Sequence, residues 1–319
     1  MSQSVVIVLN GVIVAVTDEM PRVLTVKEAS SGTERRLDAL PYGPFDPAHD
    51  RTLDRSLRRW VSEQAGQELG YVEQLYTFGD RYRDPRERRG GPRVVAVAYL
   101  ALVREGLPSG IGEARWSDWY KFFPWEDWRR GRPLLIDEKI IPALEEWTRA
   151  APTADLRRQR RERIDITFGL ADVPWDGERV LERYELLYEV GLVEEAGADG
   201  KPLPVRVETI GSPMVLDHRR ILATALSRLR GKLKYRPVVF ELLPATFTLL
   251  QLQRVVEALA GIRLHKPNLR RLVETGGLVE KTGRTVALTG GRPAELFRFR
   301  REVWRERPAP GVGLPGRHP

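Results

Sequence analysis

Residues 247–299 read FTLLQLQRVVEALAGIRLHKPNLRRLVETGGLVEKTGRTVALTGGRPAELFRF, and the order of signals within them decides the fold of the C-terminal part. Thr248 stands where an N-cap belongs, and the apolar spacing that follows predicts a helix of about three turns ending at Gly261. After a short turn, Pro267 suits the first turn of a second helix, which Gly276-Gly277 stops. Leu278 to Lys281, a Thr-Gly-Arg turn, Val286 to Leu288, a Gly-Gly-Arg-Pro loop and Glu295 to Phe299 then predict a β-hairpin. Helix, turn, helix, hairpin is the order of a winged helix-turn-helix. In that arrangement the second helix enters the major groove and the hairpin reaches the backbone or minor groove. Leu269, Leu272 and Val273 are expected to face the core, which leaves Lys266, Asn268, Arg270 and Arg271 outward. Arg reads guanine, Asn reads adenine and Lys holds phosphate. Arg284 and Arg292 fall at wing turns where little else requires them.

Charge supports a nucleic-acid partner for this end. From Arg219 to Pro319 there are 21 Lys and Arg against 7 Asp and Glu, whereas residues 1–218 carry 31 basic and 37 acidic side chains. Such asymmetry suits counterion release from a polyanion. A solubilising face on a protein-interaction module is the rival reading, and it predicts no steep salt dependence toward duplex DNA. The chain has 319 residues and no cysteine, so disulfides and thiolate chemistry are excluded. No apolar run reaches membrane-spanning length. The apolar N-terminal stretch, interrupted by Asn10-Gly11, reads as a hairpin rather than a signal peptide, and the expected location is cytoplasmic, at a bacterial nucleoid.

Upstream, Val5 to Leu9, Val12 to Thr17 and Val23 to Val26, broken by Asn10-Gly11 and by Asp18 to Pro21, predict three strands. Leu40 to Pro44 reads as a loop, and a helix capped by Asp54 runs to about Glu68. Leu75 to Phe78 and a buried Val94 to Val103 are strands flanking the basic loop GDRYRDPRERRGGPR. One α+β domain over 1–148 is expected, then an inserted module (149–212), a linker helix (213–236) that Asp217 caps, the winged domain (237–304) and a Pro/Gly-rich tail (305–319). Between Trp116 and Trp128 stand four Trp, two Phe and one Tyr. They form either a lid over the core or a wall for stacking a base. His218 is expected in a structural hydrogen bond and His265 in a turn.

LPYGPFDPAHDRTLDRSLRRWVSEQAGQELGYVEQLYTFGDRYRDPR resembles the Nudix segment of the Nudix-related regulators of NAD metabolism (the NrtR type). DHRRILATALSRLRGKLKY, FELLPATFTLLQLQRVVEALAG, NLRRLVETGGLVEKTG and GRPAELFRF are similar to the same family. LERYELLYEVGLVEE makes the chain look like its longer, NadQ-like branch. The resemblance implies an N-terminal Nudix-like mixed sheet with helices and a C-terminal winged helix-turn-helix. It further implies a dimeric repressor of NAD synthesis or salvage genes on a palindromic operator, with NAD, ATP or ADP-ribose as effector and no required cofactor.

A Nudix hydrolase needs a glutamate and, three and four residues on, a Glu-Glu pair, which place three carboxylates on one helix face around Mg²⁺. The matching positions here are Trp60, Glu63 and Gln64, and the upstream glutamate falls near Arg51 beside Asp50. Hydrolysis is therefore not expected, although an active pyrophosphohydrolase with an appended nucleic-acid-binding domain is the alternative. Arg83 and Arg86 of RDPR, with Arg81 and Arg93, offer guanidinium forks suited to a diphosphate. Alternatively, Asp84 pairs one of them within a solvated loop. Tyr42, Phe45 or the Trp cluster could stack an adenine. The weaker echo Glu185, Glu189, Gly191 is explained by a helix with Leu181, Tyr184, Leu187 and Tyr188 inside.

Overall fold

Strands β1 (Val5–Thr17) and β6 (Arg93–Leu102) are near-continuous apolar runs, as strands covered on both faces require. They lie parallel at the centre of a mixed sheet, with Val5 opposite Arg93 and Val14 opposite Leu102. The computed structural model describes residues 4–29, 35–110, 113–198, 210–287 and 293–306. Among these, β2 (Met20–Ala29), β3 (Arg36–Ala39), β4 (Tyr42–Pro44), β5 (Tyr71–Phe78) and β7 (Arg115–Asp118) complete the sheet. Its order is β3-β2-β1-β6-β5, with β4 on β1 and β7 on β2. Helix α1 (Leu53–Ala65) lays Leu57, Val61 and Ala65 onto Leu9, Ile13, Val97 and Tyr99.

The expected break at Asn10-Gly11 is absent, and β1 runs through it. A Cβ on Gly11 would sit 3.1 Å from Ile13 and 3.3 Å from Val61, so the glycine is there to let α1 approach. The reversal comes at the second expected break, at Asp18-Glu19, both at positive φ (51° and 61°). Two other expectations shift. Leu40 to Pro44 contains strand β4 rather than loop alone, and Thr52, not Asp54, caps α1 by accepting from Arg55 N at 3.2 Å. Gly66 ends that helix in the left-handed region (φ 63°).

The chain separates into two compact units. The first comprises 1–15, 22–124 and 180–226; the second comprises 16–21, 125–179 and 227–319. Among the described residues of 149–212, those before Val180 fall in the second unit and those from Val180 on in the first. Helix α3 (Ala154–Phe168) belongs to the second unit, while α4 (Val180–Glu189) and α5 (Glu195–Ala198) belong to the first. The division falls inside α6 (His218–Tyr235), after Leu226.

In the second unit, helix α2 (Ile141–Arg149) follows a π-helical turn and packs on α3. Arg230 on α6 is buried against Glu126, 2.5 Å away, and also donates to the carbonyls of Leu259 and Gly177. The wing follows helices α7 (Leu249–Ala260) and α8 (Lys266–Thr275) as β8 (Val279–Val286) and β9 (Ala294–Phe299); a short helix, α9 (Val303–Glu306), comes after. Strand β8 passes straight through Thr282-Gly283-Arg284, so the expected turn is a bulge, with Gly283 at φ 73°. The Gly-Gly-Arg-Pro loop, and with it Arg292, lies largely outside the described residues. Of the aromatic cluster, Trp119, Phe122 and Phe123 are fully buried in the first unit and Trp125 in the second, which makes these rings core rather than a stacking wall.

Candidate functional site

A cavity of about 410 Å³ opens in the first unit, within the range of small-molecule sites. Tyr42, Arg81, Arg83 and Arg86 all line it, so the fold gathers four of the five residues singled out from sequence. Arg93 lies outside the lining; it pairs with Glu87 at 3.5 Å and donates to the Gly79 carbonyl at 2.6 Å. The strand β5 side brings in the basic segment, and a 3₁₀ turn, Pro85–Arg89, shapes it. Asp84 caps that turn and takes the Arg86 guanidinium on both oxygens. Burial pushes the Asp84 carboxyl up, but the Arg86 hydrogen bonds outweigh it and hold the group below its ordinary range.

Arg83 is a different case. Its side chain is 3% exposed, and it grips Asp217 through Nε (2.9 Å) and Nη2 (2.5 Å). Arg81 lies over the Tyr82 ring at 4.7 Å. Tyr42 donates its hydroxyl to Glu28, and burial followed by that carboxylate pushes its pKa upward. The opposite wall comes from far along the chain, through Tyr184, Tyr188, Glu194, Asp217 and Arg220. Arg220 pairs with Glu185 at 2.6 Å and covers the Tyr188 ring at 4.9 Å. No local motif marked these positions, because only the packing of α4 and α6 in this unit brings them to the cavity.

The positions expected to match the Nudix carboxylates have structural work. Trp60 donates to the Pro44 carbonyl at 3.0 Å and lies so close to Gly43 that any Cβ there would overlap its indole. Gln64 holds both sides of Tyr42: its amide donates to Tyr42 O (2.8 Å) and its Oε1 accepts from Tyr42 N (3.0 Å). Glu63 is 3.9 Å from Arg59, and Asp50 is taken by Arg59 and Ser56. Among the described residues no cluster of three or more His, Asp or Glu is placed to hold a metal ion. One carboxylate beside an arginine is not a donor set for Mg²⁺, so the residues present do not fit that ion.

In the second unit Thr248 and Gln251 form a reciprocal capping box at the start of α7. Glu257, buried near the end of α7, accepts from Arg263 (2.6 Å), Gln253 (2.8 Å) and the Leu264 backbone (3.0 Å). Burial pushes its pKa up, yet these donors prevail and keep it low, so the turn before α8 is fastened by a charge. Leu269 and Val273 point into the core, while Leu272 is half-buried. Lys266, Arg270 and Arg271 are exposed, Asn268 is half-buried, and Arg284 is exposed on the bulge of β8. Arg270 pairs with Glu274 at 3.1 Å. Phe247 bridges backbone to backbone with Phe297, which adds a third short edge to the wing.

The model of the NrtR DNA-binding winged helix domain matches residues 239–299. The chain is 37% identical over 262 residues to the ADPR responsive transcriptional repressor NtrR of Acinetobacter baylyi, covering 82% of this chain and 69% of that one. Its fold is similar to that of Shewanella oneidensis NrtR, with a TM-score of 0.54, 21% identity, and coverage of 93% and 95%. Against the same Shewanella protein complexed with a 27mer DNA the TM-score is 0.52, at 22% identity and coverage of 93% and 94%.

Proposed function

This chain belongs to the NrtR family of transcriptional regulators, and on that premise we propose that it represses NAD-metabolism genes in response to ADP-ribose. The cavity lined by Tyr42, Arg81, Arg83 and Arg86 is the proposed effector site. Its guanidinium groups suit a diphosphate, and its tyrosines and carboxylates suit a base and ribose hydroxyls. NAD and ATP share that chemistry and are the competing effectors. Lys266, Asn268, Arg270 and Arg271 on α8 are the proposed base and phosphate contacts, with Arg284 and Arg292 on the wing. A homodimer on a palindromic operator, in the cytoplasm, completes the reading.

One observation carries it above the others. The charged face of α8 is exposed on a winged helix, while an arginine-lined cavity is present in the other unit of the same chain. The loss of carboxylates at Trp60 and Gln64 supports a receptor that binds its nucleotide without cleaving it. The test is fluorescence anisotropy on duplexes recovered by selection from random sequence, titrated with ADP-ribose, NAD and ATP. A repressor of this kind releases a recovered palindrome with one of them. A complex indifferent to all three removes the effector claim. Release of phosphate or AMP from ADP-ribose with Mg²⁺ would instead establish a hydrolase.

A further inference from the structure

We propose that Asp217 is an internal stand-in for the effector's phosphate. It occupies the Arg83 guanidinium until an anionic ligand displaces it, and the freed carboxylate then caps helix α6. This inference deepens the nucleotide-sensing reading above and rests on it.

Both partners line the cavity, and their side chains are 3% and 11% exposed. The two-pronged contact of Arg83 with both Asp217 oxygens is the pattern a guanidinium makes with a phosphate, so a diphosphate entering here competes for an occupied fork. Arg86, by contrast, is 72% exposed and keeps its own carboxylate, Asp84, within the same loop. A ligand that brings further negative charge beside Asp217 repels it at ion-pair distance.

The displaced side chain has somewhere to go. Asp217 accepts the Ile221 backbone N–H on its carbonyl at 3.0 Å, which makes it the N-cap residue of α6 by position. An aspartate at such a position ordinarily turns its carboxylate to the first free amides of the helix, where the helix dipole also favours it. Here both oxygens face Arg83 instead. Leu216, the residue before, is held at φ 49°, a left-handed conformation that a branched apolar side chain disfavours. That backbone strain sits one residue before the ion pair, at the junction where Asp217 enters the helix. Two arrangements of one carboxylate, biased by a ligand, make the two-state element that coupling to α6 requires.

The test uses the full chain with ADP-ribose, in two measurements. By calorimetry, Asp217→Asn removes the competing charge and tightens ADP-ribose binding about ten-fold, within the usual span of coupling factors. In the unaltered protein, hydrogen exchange at the Arg220 amide, the third helical position that an Asp217 cap reaches, slows when ADP-ribose saturates the site, because the cap has formed. Asp217→Ser, a capping residue without charge, replaces the Asn variant if that one fails to fold. Unchanged or weaker affinity in a folded variant overturns the exchange, as does unchanged protection in the unaltered chain. If the unaltered chain binds neither ADP-ribose, NAD nor ATP, the nucleotide reading itself falls and the exchange with it. Binding without these shifts removes the exchange alone.

Discussion

His218 is fully buried, with Asn10 on its Nε2 at 3.0 Å and the Leu40 amide donating to its Nδ1 at 3.1 Å. Burial first, and the Arg83 charge second, depress its pKa from 6.5 to about 3. The unfolded chain thus takes up a proton that the folded chain refuses. The stability due to the neutral ring is complete above pH 6.5 and is lost as pH falls toward 3. By pH 5 the expected loss is about 2 kcal/mol from this group, read from urea unfolding at pH 7 and 5. His218→Gln should flatten that part of the slope, and an equal slope in the variant would assign it to carboxylates instead. Arg230 tests burial in the second unit. Truncating it leaves Glu126 charged and enclosed, so Arg230→Ala is expected to cost roughly 3–5 kcal/mol in chemical denaturation. Gln64→Glu removes the donor to Tyr42 O and sets a carboxylate against a carbonyl. It should destabilise the fold by about 1–3 kcal/mol and confer no hydrolysis.

At the scale of elements, helices with strong local punctuation were legible before any coordinates. Thr248, Gly261 and Pro267 marked α7 and α8 because caps act within a few residues, while the reciprocal bond from Gln251 was not foreseen. Strand β6 was legible as an unbroken apolar run. Asn10-Gly11 misled because its turn chemistry is local, whereas its reason, the approach of α1 and the bond to His218, is not. The same limit applies to the cavity. Its arginine loop stood out in sequence, but Glu28, Tyr188 and Arg220 arrive from other elements. Asp217 was placed correctly at a helix start and its partner was not foreseen. On α8, Arg271 is exposed and Arg270 already answers Glu274, which favours Arg271 among the proposed base contacts. Arg271→Ala should weaken operator binding by roughly 1–3 kcal/mol and relax preference at one position, measured on point-substituted duplexes. Equal affinity would move the reading surface elsewhere.

Over the whole molecule, the charge division predicts how binding responds to salt. With 21 basic against 7 acidic residues from Arg219 onward, operator affinity should fall steeply as salt rises. A log–log slope near zero in anisotropy titrations would favour an acidic protein as partner over DNA. Sedimentation equilibrium on the free chain tests the proposed dimer, since a monomer at micromolar concentration would leave a palindrome unexplained. The clasp that Gln64 makes on Tyr42 reaches beyond α1 itself. Tyr42 forms part of the cavity wall, so Gln64 on α1 aligns the lining from behind. A mutation that placed an acid at Gln64 would set a carboxylate against the Tyr42 carbonyl and loosen that wall. One amide on α1 thereby governs the alignment of a tyrosine on strand β4.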